Sequence, residues 1–268
     1  SDDTLYGGSG EDLLIGHNGK DVIYGGDGSD TLDGGNAEDE LYGGTGDDFI
    51  DGGNANDYIE GGEGSDTIFG GKGKDIIYGG NGSDTIDGGS ADDVITGGAG
   101  DDQIIGSGGD DDLIGEEGND TFIYTGKDGK DTVDGGEGFD TVDLTSIDGI
   151  ESTDDFTLNL TNGSIIATDE GRITLSDNAV GEMRLEDGSR IDITNIEQIK
   201  WNQDAQVSDV QITNSKINNV PTQTNIAQDD DSSPHMQVFQ GKASSQNNAI
   251  GWVDAIDADE TGDSVNNT

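Results

Sequence analysis

Aspartate recurs at every ninth position through the first half of the sequence, and this spacing is the clearest sign of chemistry in the chain. Thirteen aspartates keep it without interruption: Asp12, Asp21, Asp30, Asp39, Asp48, Asp57, Asp66, Asp75, Asp84, Asp93, Asp102, Asp111 and Asp120. Two more, Asp131 and Asp140, continue it after a shift of two residues. A single such aspartate could simply stabilise a turn with its own carboxylate. Thirteen of them stacked in register would repel one another unless counter-ions lay between them.

Hard divalent cations are the counter-ions that such a stack attracts. Calcium is bound by carboxylate and carbonyl oxygens, whereas zinc prefers the sulfur and nitrogen ligands that this sequence, with no cysteine and two histidines, hardly offers. The net charge of −48 also argues against nucleic acid or an anionic membrane surface as a partner, because both would repel the chain. We therefore expect calcium ions as the partner.

The aspartates belong to a nine-residue phrase, G-G-x-G-x-D-x-U-x with U a large apolar residue, which fills residues 7–123; one clear copy is residues 25–33, GGDGSDTLD. Its glycines predict that the first six residues turn, because positive φ angles are cheap for glycine alone. The last three residues predict a short strand with U pointing inward. The inward row is apolar at every step: Leu14, Ile23, Leu32, Leu41, Ile50, Ile59, Ile68, Ile77, Ile86, Ile95, Ile104, Leu113 and Phe122.

This phrase resembles the haemolysin-type calcium-binding repeats of the RTX proteins. The resemblance implies an all-β, right-handed parallel β-roll with two nonapeptides per turn, so that loops 18 residues apart stack on one edge. Each calcium ion then lies between stacked loops and takes aspartate carboxylates and backbone carbonyls, which gives up to about eleven ions. The carbonyl ligands expected on this basis are those of Gly8, Gly10, Gly26, Gly28, Gly44, Gly46, Gly62, Gly64, Gly71, Gly73, Gly80, Gly82, Gly98 and Gly100.

The composition predicts disorder unless the acid is neutralised. With 47 glycines and 29% hydrophobic residues, the chain offers little apolar surface to offset the entropy of folding. We therefore expect the repeat to be unfolded without calcium.

Some copies depart from the phrase in their loops. Ala37, Ala55 and Ala91 replace the fourth-position glycine and would share one edge, so either that edge tolerates a side chain or its sites are weaker. His17 replaces a second-position glycine. It could bind a transition metal, although a lone loop histidine is more commonly an exposed polar residue.

Outward-facing tyrosines also repeat every 18 residues, at Tyr6, Tyr24, Tyr42 and Tyr78, with Glu60 interrupting the series. Cross-strand aromatic packing is the simpler interpretation. The alternative is a docking surface for a sugar or a protein.

The sequence predicts three regions. Residues 1–143 form the β-roll, uninterrupted over 7–123 and resumed over 126–143. Residues 144–202 carry apolar segments separated by Asn-Gly and Asp-Gly turns, which predicts an antiparallel β cap over the apolar end of the solenoid. The packing residues expected in this cap are Ile196, Ile199 and Trp201.

Residues 203–268 are polar and predict a mostly flexible tail. Within it, residues 257–262 loosely match the opening of an EF-hand loop, but Thr268 stands where the bidentate glutamate belongs. Because the sequence begins inside a repeat, we also expect it to be part of a longer protein.

The leading hypothesis for function is a calcium-binding module that folds outside the bacterial cell and supports type I secretion and the stability of a larger extracellular protein. One alternative is a rigid stalk or binding segment of a surface adhesin. Another is an accessory module of a secreted protease, lipase or alginate epimerase. Catalysis within this chain is not expected, because neither H-E-x-x-H nor G-x-S-x-G occurs in it.

Overall fold

The computed structural model describes residues 1–147, 149–150, 155–169 and 171–202. The expectations of a flexible tail over 203–268 and of an EF-hand-like loop at 257–262 lie outside the described residues. Within them the fold is all-β. No helix in this part of the chain is long and apolar enough to cross a membrane.

The described residues form 22 strands. Those of the repeat region are β1 (Thr4–Ser9), β2 (Leu13–Ile15), β3 (Val22–Asp27), β4 (Thr31–Asn36), β5 (Glu40–Thr45), β6 (Phe49–Asn54), β7 (Tyr58–Glu63), β8 (Thr67–Lys72), β9 (Ile76–Asn81), β10 (Thr85–Ser90), β11 (Val94–Ala99), β12 (Gln103–Gly108), β13 (Asp112–Glu117), β14 (Thr121–Ile123), β15 (Lys130–Glu137) and β16 (Thr141–Asp143). Those that follow are β17 (Phe156–Asn162), β18 (Ile165–Asp169), β19 (Arg172–Leu175), β20 (Val180–Leu185), β21 (Arg190–Thr194) and β22 (Gln198–Lys200).

Odd and even strands separate into two sheets. The odd strands β1 to β15 pair in parallel in one sheet, and the even strands β2 to β16 pair in parallel in the other. The register advances by 18 residues, as in Ile23 opposite Leu41, until the two extra residues after β14 make it 20, as in Asp112 opposite Thr132. The predicted solenoid with two nonapeptides per turn is confirmed.

The strands are longer than predicted. Most contain six residues and run through both glycines of the next copy, as in Thr31–Asn36, so the turn is confined to the fourth to sixth positions. The first glycine is needed inside the strand because a Cβ at Gly34 would lie 2.7 Å from the Gly52 carbonyl oxygen and 2.8 Å from Asp39 Oδ2. The glycine therefore leaves space for the aspartate side chain.

The core is the predicted inward row. Its thirteen members are buried, with exposed fractions from 0% to 7%, and they alternate between the two sheets, so that two rows of mostly Ile and Leu face each other in the interior. Such packing suits β-branched and aliphatic side chains on a pleated surface.

The C-terminal end is capped by antiparallel strands, as predicted, but the solenoid first makes one more parallel turn. Strand β21 pairs in parallel with β15, and β22 pairs in parallel with β16. Antiparallel β20 and β17 then extend the first sheet, and antiparallel β19 and β18 extend the second. Trp201 is 1% exposed and packs edge-on against Phe156, with ring centroids 5.6 Å apart. Ile196 and Ile199 are also buried.

Candidate metal-binding turns

The fifteen aspartates of the repeat lie in two columns, one along each edge where the chain passes between the sheets. The first edge holds the turns from odd to even strands, with Asp12, Asp30, Asp48, Asp66, Asp84, Asp102, Asp120 and Asp140. The second edge holds the turns from even to odd strands, with Asp21, Asp39, Asp57, Asp75, Asp93, Asp111 and Asp131. All except Asp12 are at most 3% exposed.

One carboxylate oxygen of each aspartate after Asp12 joins successive turns. The backbone N–H of Asp48 donates to Asp66 Oδ1 at 2.8 Å, and the N–H of Asp66 donates to Asp84 Oδ1 at the same distance. The same bond repeats along both columns, so the carboxylates from Asp21 to Asp140 have fixed positions in the stack. The chain therefore preorganises the acidic groups by its own backbone.

In fourteen of the fifteen aspartates, the other carboxylate oxygen has no hydrogen-bond partner. The buried, unpartnered oxygens are Oδ2 of Asp12, Asp21, Asp30, Asp39, Asp48, Asp57, Asp66, Asp75, Asp84, Asp93, Asp102, Asp111, Asp120 and Asp140. A buried polar atom without a partner carries a large desolvation cost, and here the atom bears charge. Fourteen in two regular rows mark positions where a cation fits.

The electrostatics of the columns favour neutralisation. Burial, together with repulsion from the aspartates one turn away, raises the pKa of Asp57 to about 8 and those of Asp66 and Asp93 to about 7. The backbone N–H bond acts in the opposite direction but does not offset the burial. Near neutral pH, these carboxyl groups therefore need either protons or cations.

The glycines predicted to supply carbonyl ligands all adopt positive φ angles, between 99° and 134°. Twelve of the fourteen lie on the first edge, whereas Gly71 and Gly73 lie on the second. The chain stacks closely here: a Cβ at Gly46 would lie 2.5 Å from the Gly28 carbonyl oxygen. That carbonyl therefore points along the column toward the next turn, but its role as a ligand remains a prediction.

The donor atoms fit a hard cation, because they are carboxylate and backbone carbonyl oxygens that recur from turn to turn. Among the described residues, no three acidic or histidine side chains converge on one point. A cation in a column would therefore combine carboxylate oxygens with backbone carbonyls, as calcium does and zinc does not. His17 is exposed in its loop, with φ 72°, which favours the polar-residue interpretation over a transition-metal ligand.

The outward tyrosines form a longer ladder than predicted. Tyr6, Tyr24 and Tyr42 stack with ring centroids 5.1 and 5.0 Å apart, and Tyr58 connects Tyr42 to Tyr78 at 5.7 and 5.8 Å. Glu60 leaves a gap in the series of tyrosines, and the ring of Tyr58, two residues earlier on β7, fills it. Because the rings pack against one another, stacked from Tyr6 to Tyr42 and tilted at Tyr58, the ladder favours cross-strand packing over a flat platform for sugars.

Glu197 extends the first-edge column and was not predicted. Its Oε2 accepts the Asp140 N–H at 2.9 Å, which is the bond that each aspartate makes to the turn before it. From Asn195, just after β21, the chain reaches Glu197 in two residues, whereas a full repeat takes five residues from its first glycine to its aspartate. The signal in the sequence was Glu197-Gln198-Ile199, which keeps the acid-x-apolar spacing of the repeat without its glycines.

Glu197→Ala is expected to lower the free energy of unfolding of the calcium-loaded protein by about 1–3 kcal/mol, because the buried Asp140 N–H loses its acceptor. Chemical denaturation measures this loss. Glu197→Gln keeps an acceptor oxygen and is expected to lose less. Equal stability of Glu197→Ala and the wild type would contradict the role of Glu197 as the acceptor that extends the column.

Comparison with protein families found one match. The family model described as RTX calcium-binding nonapeptide repeat (4 copies) matches residues 1–32, 33–68, 51–86, 60–95, 87–122 and 125–143. These segments span just over half of the 268 residues. No curated protein matches the chain.

Proposed function

Since the chain belongs to the family of RTX calcium-binding nonapeptide repeats and forms their calcium-binding β-solenoid, we propose that this solenoid is unfolded without calcium and folds when it meets calcium outside the cell. Such a module supports type I secretion of a larger extracellular protein and then stabilises it. The secretion machinery is the proposed partner, and the proposed location is secreted or at the bacterial surface.

The observation that carries the proposal is the pair of rows of buried, unpartnered carboxylate oxygens. Without cations, folding must bury these charges next to one another, which opposes the folded state. Bound calcium supplies the positive charge that neutralises these rows. A ligand that binds only the folded state adds about 2.7 kcal/mol per site when its free concentration is a hundred times Kd.

The same residues serve both states of the module. In calcium-poor surroundings, repulsion among the acidic side chains favours an extended chain that can be threaded through an export channel. In calcium-rich surroundings, the backbone N–H bonds between turns hold each Oδ1, and Oδ2 remains available to the ion. The direction of folding is thus set by the calcium concentration on each side of the membrane.

Circular dichroism with and without calcium tests the folding step. In excess EGTA we expect a disordered spectrum and a radius of gyration approaching about 57 Å for a chain of 268 residues. Millimolar calcium should produce β signal and compaction, whereas the same concentration of magnesium should not, because Mg²⁺ dehydrates reluctantly. A β spectrum of equal strength in EGTA would contradict the proposal.

The rigid-stalk alternative draws on the unbroken parallel pairing of β1 to β15, which makes a continuous rod. An export assay in cells with a one-step type I system separates the two functions. Secretion that fails when calcium is supplied inside the cell supports the export role. Calcium-dependent folding with no export through that system supports the stalk.

A further inference from the structure

The two edges of the solenoid carry different charges in their loops. Counting the second to fifth positions of each copy, the first edge has eight acidic residues and no basic one: Glu11, Asp27, Asp47, Glu63, Asp101, Glu116, Glu117 and Glu137. The second edge has four acidic residues, Glu38, Asp92, Asp110 and Asp128, and five basic ones, Lys20, Lys72, Lys74, Lys127 and Lys130. These five are all the basic residues of positions 1–143.

Lysines of the second edge bridge successive turns. Lys20 Nζ lies 2.9 Å from Glu38 Oε2, and Lys74 forms an ion pair with Asp92, each across one 18-residue step. At these two steps of the second edge, an ammonium group of the protein therefore already spans the gap between turns. A divalent ion that enters the second column meets these ammonium groups nearby.

A neutral amide ladder continues this pattern. Asn36 Nδ2 donates to Asn18 Oδ1 at 3.2 Å, Asn54 Nδ2 donates to Asn36 Oδ1 at 2.9 Å, and Lys72 Nζ donates to Asn54 Oδ1 at 2.9 Å. These third-position side chains tie four second-edge turns together without an ion. The third positions of the first edge include Asp27 and Glu63 instead.

The backbone of the second edge is also more strained. Ala37, Ala55 and Ala91 take φ angles of 94°, 91° and 86° in its turns. A Cβ is disfavoured in this region. On the first edge, the fourth position of each copy is always glycine, from Gly10 to Gly138.

We propose that the two edges bind calcium with unequal affinity, so that the acidic first edge loads at lower calcium concentration and the lysine-bearing second edge loads later. The inference rests on the proposed function and adds an order of filling to it. Charges within about a Debye length of a bound ion act on it with little screening, and that length is about 8 Å at physiological salt. The lysines repel the ion and the extra carboxylates attract it.

Calorimetric titration of the wild type with calcium is the first test. Two classes of site are expected, with dissociation constants that differ roughly tenfold at low salt and converge as salt is raised. Asp66→Asn should reduce the number of calcium ions bound by the tight class, and Asp75→Asn should reduce the number bound by the weak class. These aspartates belong to adjacent copies on opposite edges.

An exchange of two neighbouring loops provides the matched control. Residues 63–65 (Glu-Gly-Ser) lie on the first edge and residues 72–74 (Lys-Gly-Lys) on the second, with glycine at the centre of both and exposed flanking side chains. E63K/S65K should lower the calcium affinity of the tight class of sites by several-fold. K72E/K74S should raise the calcium affinity of the weak class by a similar factor. The quadruple variant keeps the net charge and should narrow the separation between the classes.

The outcomes separate this inference from the proposed function. Calcium-induced folding with a single class of sites, or a quadruple variant that titrates like the wild type, overturns the inequality of the edges and leaves calcium-dependent folding intact. A chain that binds no calcium overturns both. Two classes that respond to the loop exchange support the inference.

Discussion

The triple replacement D48N/D66N/D84N is expected to stabilise the calcium-free chain and to destabilise the calcium-loaded one. Asparagine keeps an oxygen that can accept the N–H of the preceding turn, but it carries no charge. Without calcium, three buried carboxylates are removed, and for Asp66, whose pKa rises from 3.8 to about 7, the relief at neutral pH is about 4 kcal/mol. With calcium, three neighbouring sites of one column lose their charged ligands.

The readouts are the concentration of a stabilising osmolyte needed to fold the calcium-free variant and the calcium concentration needed to fold it in buffer. The first should fall and the second should rise by tenfold or more, because each charged ligand lost weakens calcium binding. The control is D33N/D51N/D87N, which removes three charges from the outer face of the even sheet, where these side chains are half-buried. Equal shifts in the two variants would show that total charge, and not the buried column, controls folding.

Acidification is expected to replace calcium. Burial, with repulsion from neighbouring aspartates, raises the folded-state pKa to about 6 for Asp48, about 7 for Asp102 and about 8 for Asp57, against 3.8 in the unfolded chain. A raised carboxyl pKa means that the folded state holds its protons more tightly. Its stability is therefore greatest below about pH 4 and is lost as the pH rises through the window from about 4 to 8.

Far-UV circular dichroism in EGTA across this window measures the effect. β signal should grow as the pH falls from 8 toward 4, and the transition should be broad because the groups in a column titrate together. In D48N/D66N/D84N the midpoint should lie at higher pH. A calcium-free chain that gains no β structure at any pH would show that buried charge is not the barrier.

Much of the fold follows from the period of the sequence. The spacing of the inward row, from Leu14 to Phe122, fixed which side chains form the core, and the 18-residue recurrence of tyrosines placed Tyr6, Tyr24 and Tyr42 in one stack. Short-period repetition makes every local choice agree with the global one. The aspartate columns were predictable for the same reason.

Other features depend on contacts that a period does not encode. The strands continue through Gly34 and Gly35 because neighbouring turns pair there. Glycine considered on its own predicts a turn at these positions. Strand β21 follows an Asp187-Gly188 hairpin signal, but after pairing with β20 it also meets β15 in parallel. Glu197 was missed because its shortened turn lacks glycine and its acid is one methylene longer.

Anomalous diffraction from a calcium-loaded crystal shows whether calcium fills the two aspartate columns. We expect two rows of calcium peaks, one beside each column, with successive ions about 4.8 Å apart along the row, which is the spacing of neighbouring strands. Each ion should contact at least one Oδ2 of the columns. A well-ordered solenoid grown in millimolar calcium with no anomalous density beside these oxygens would contradict this expectation.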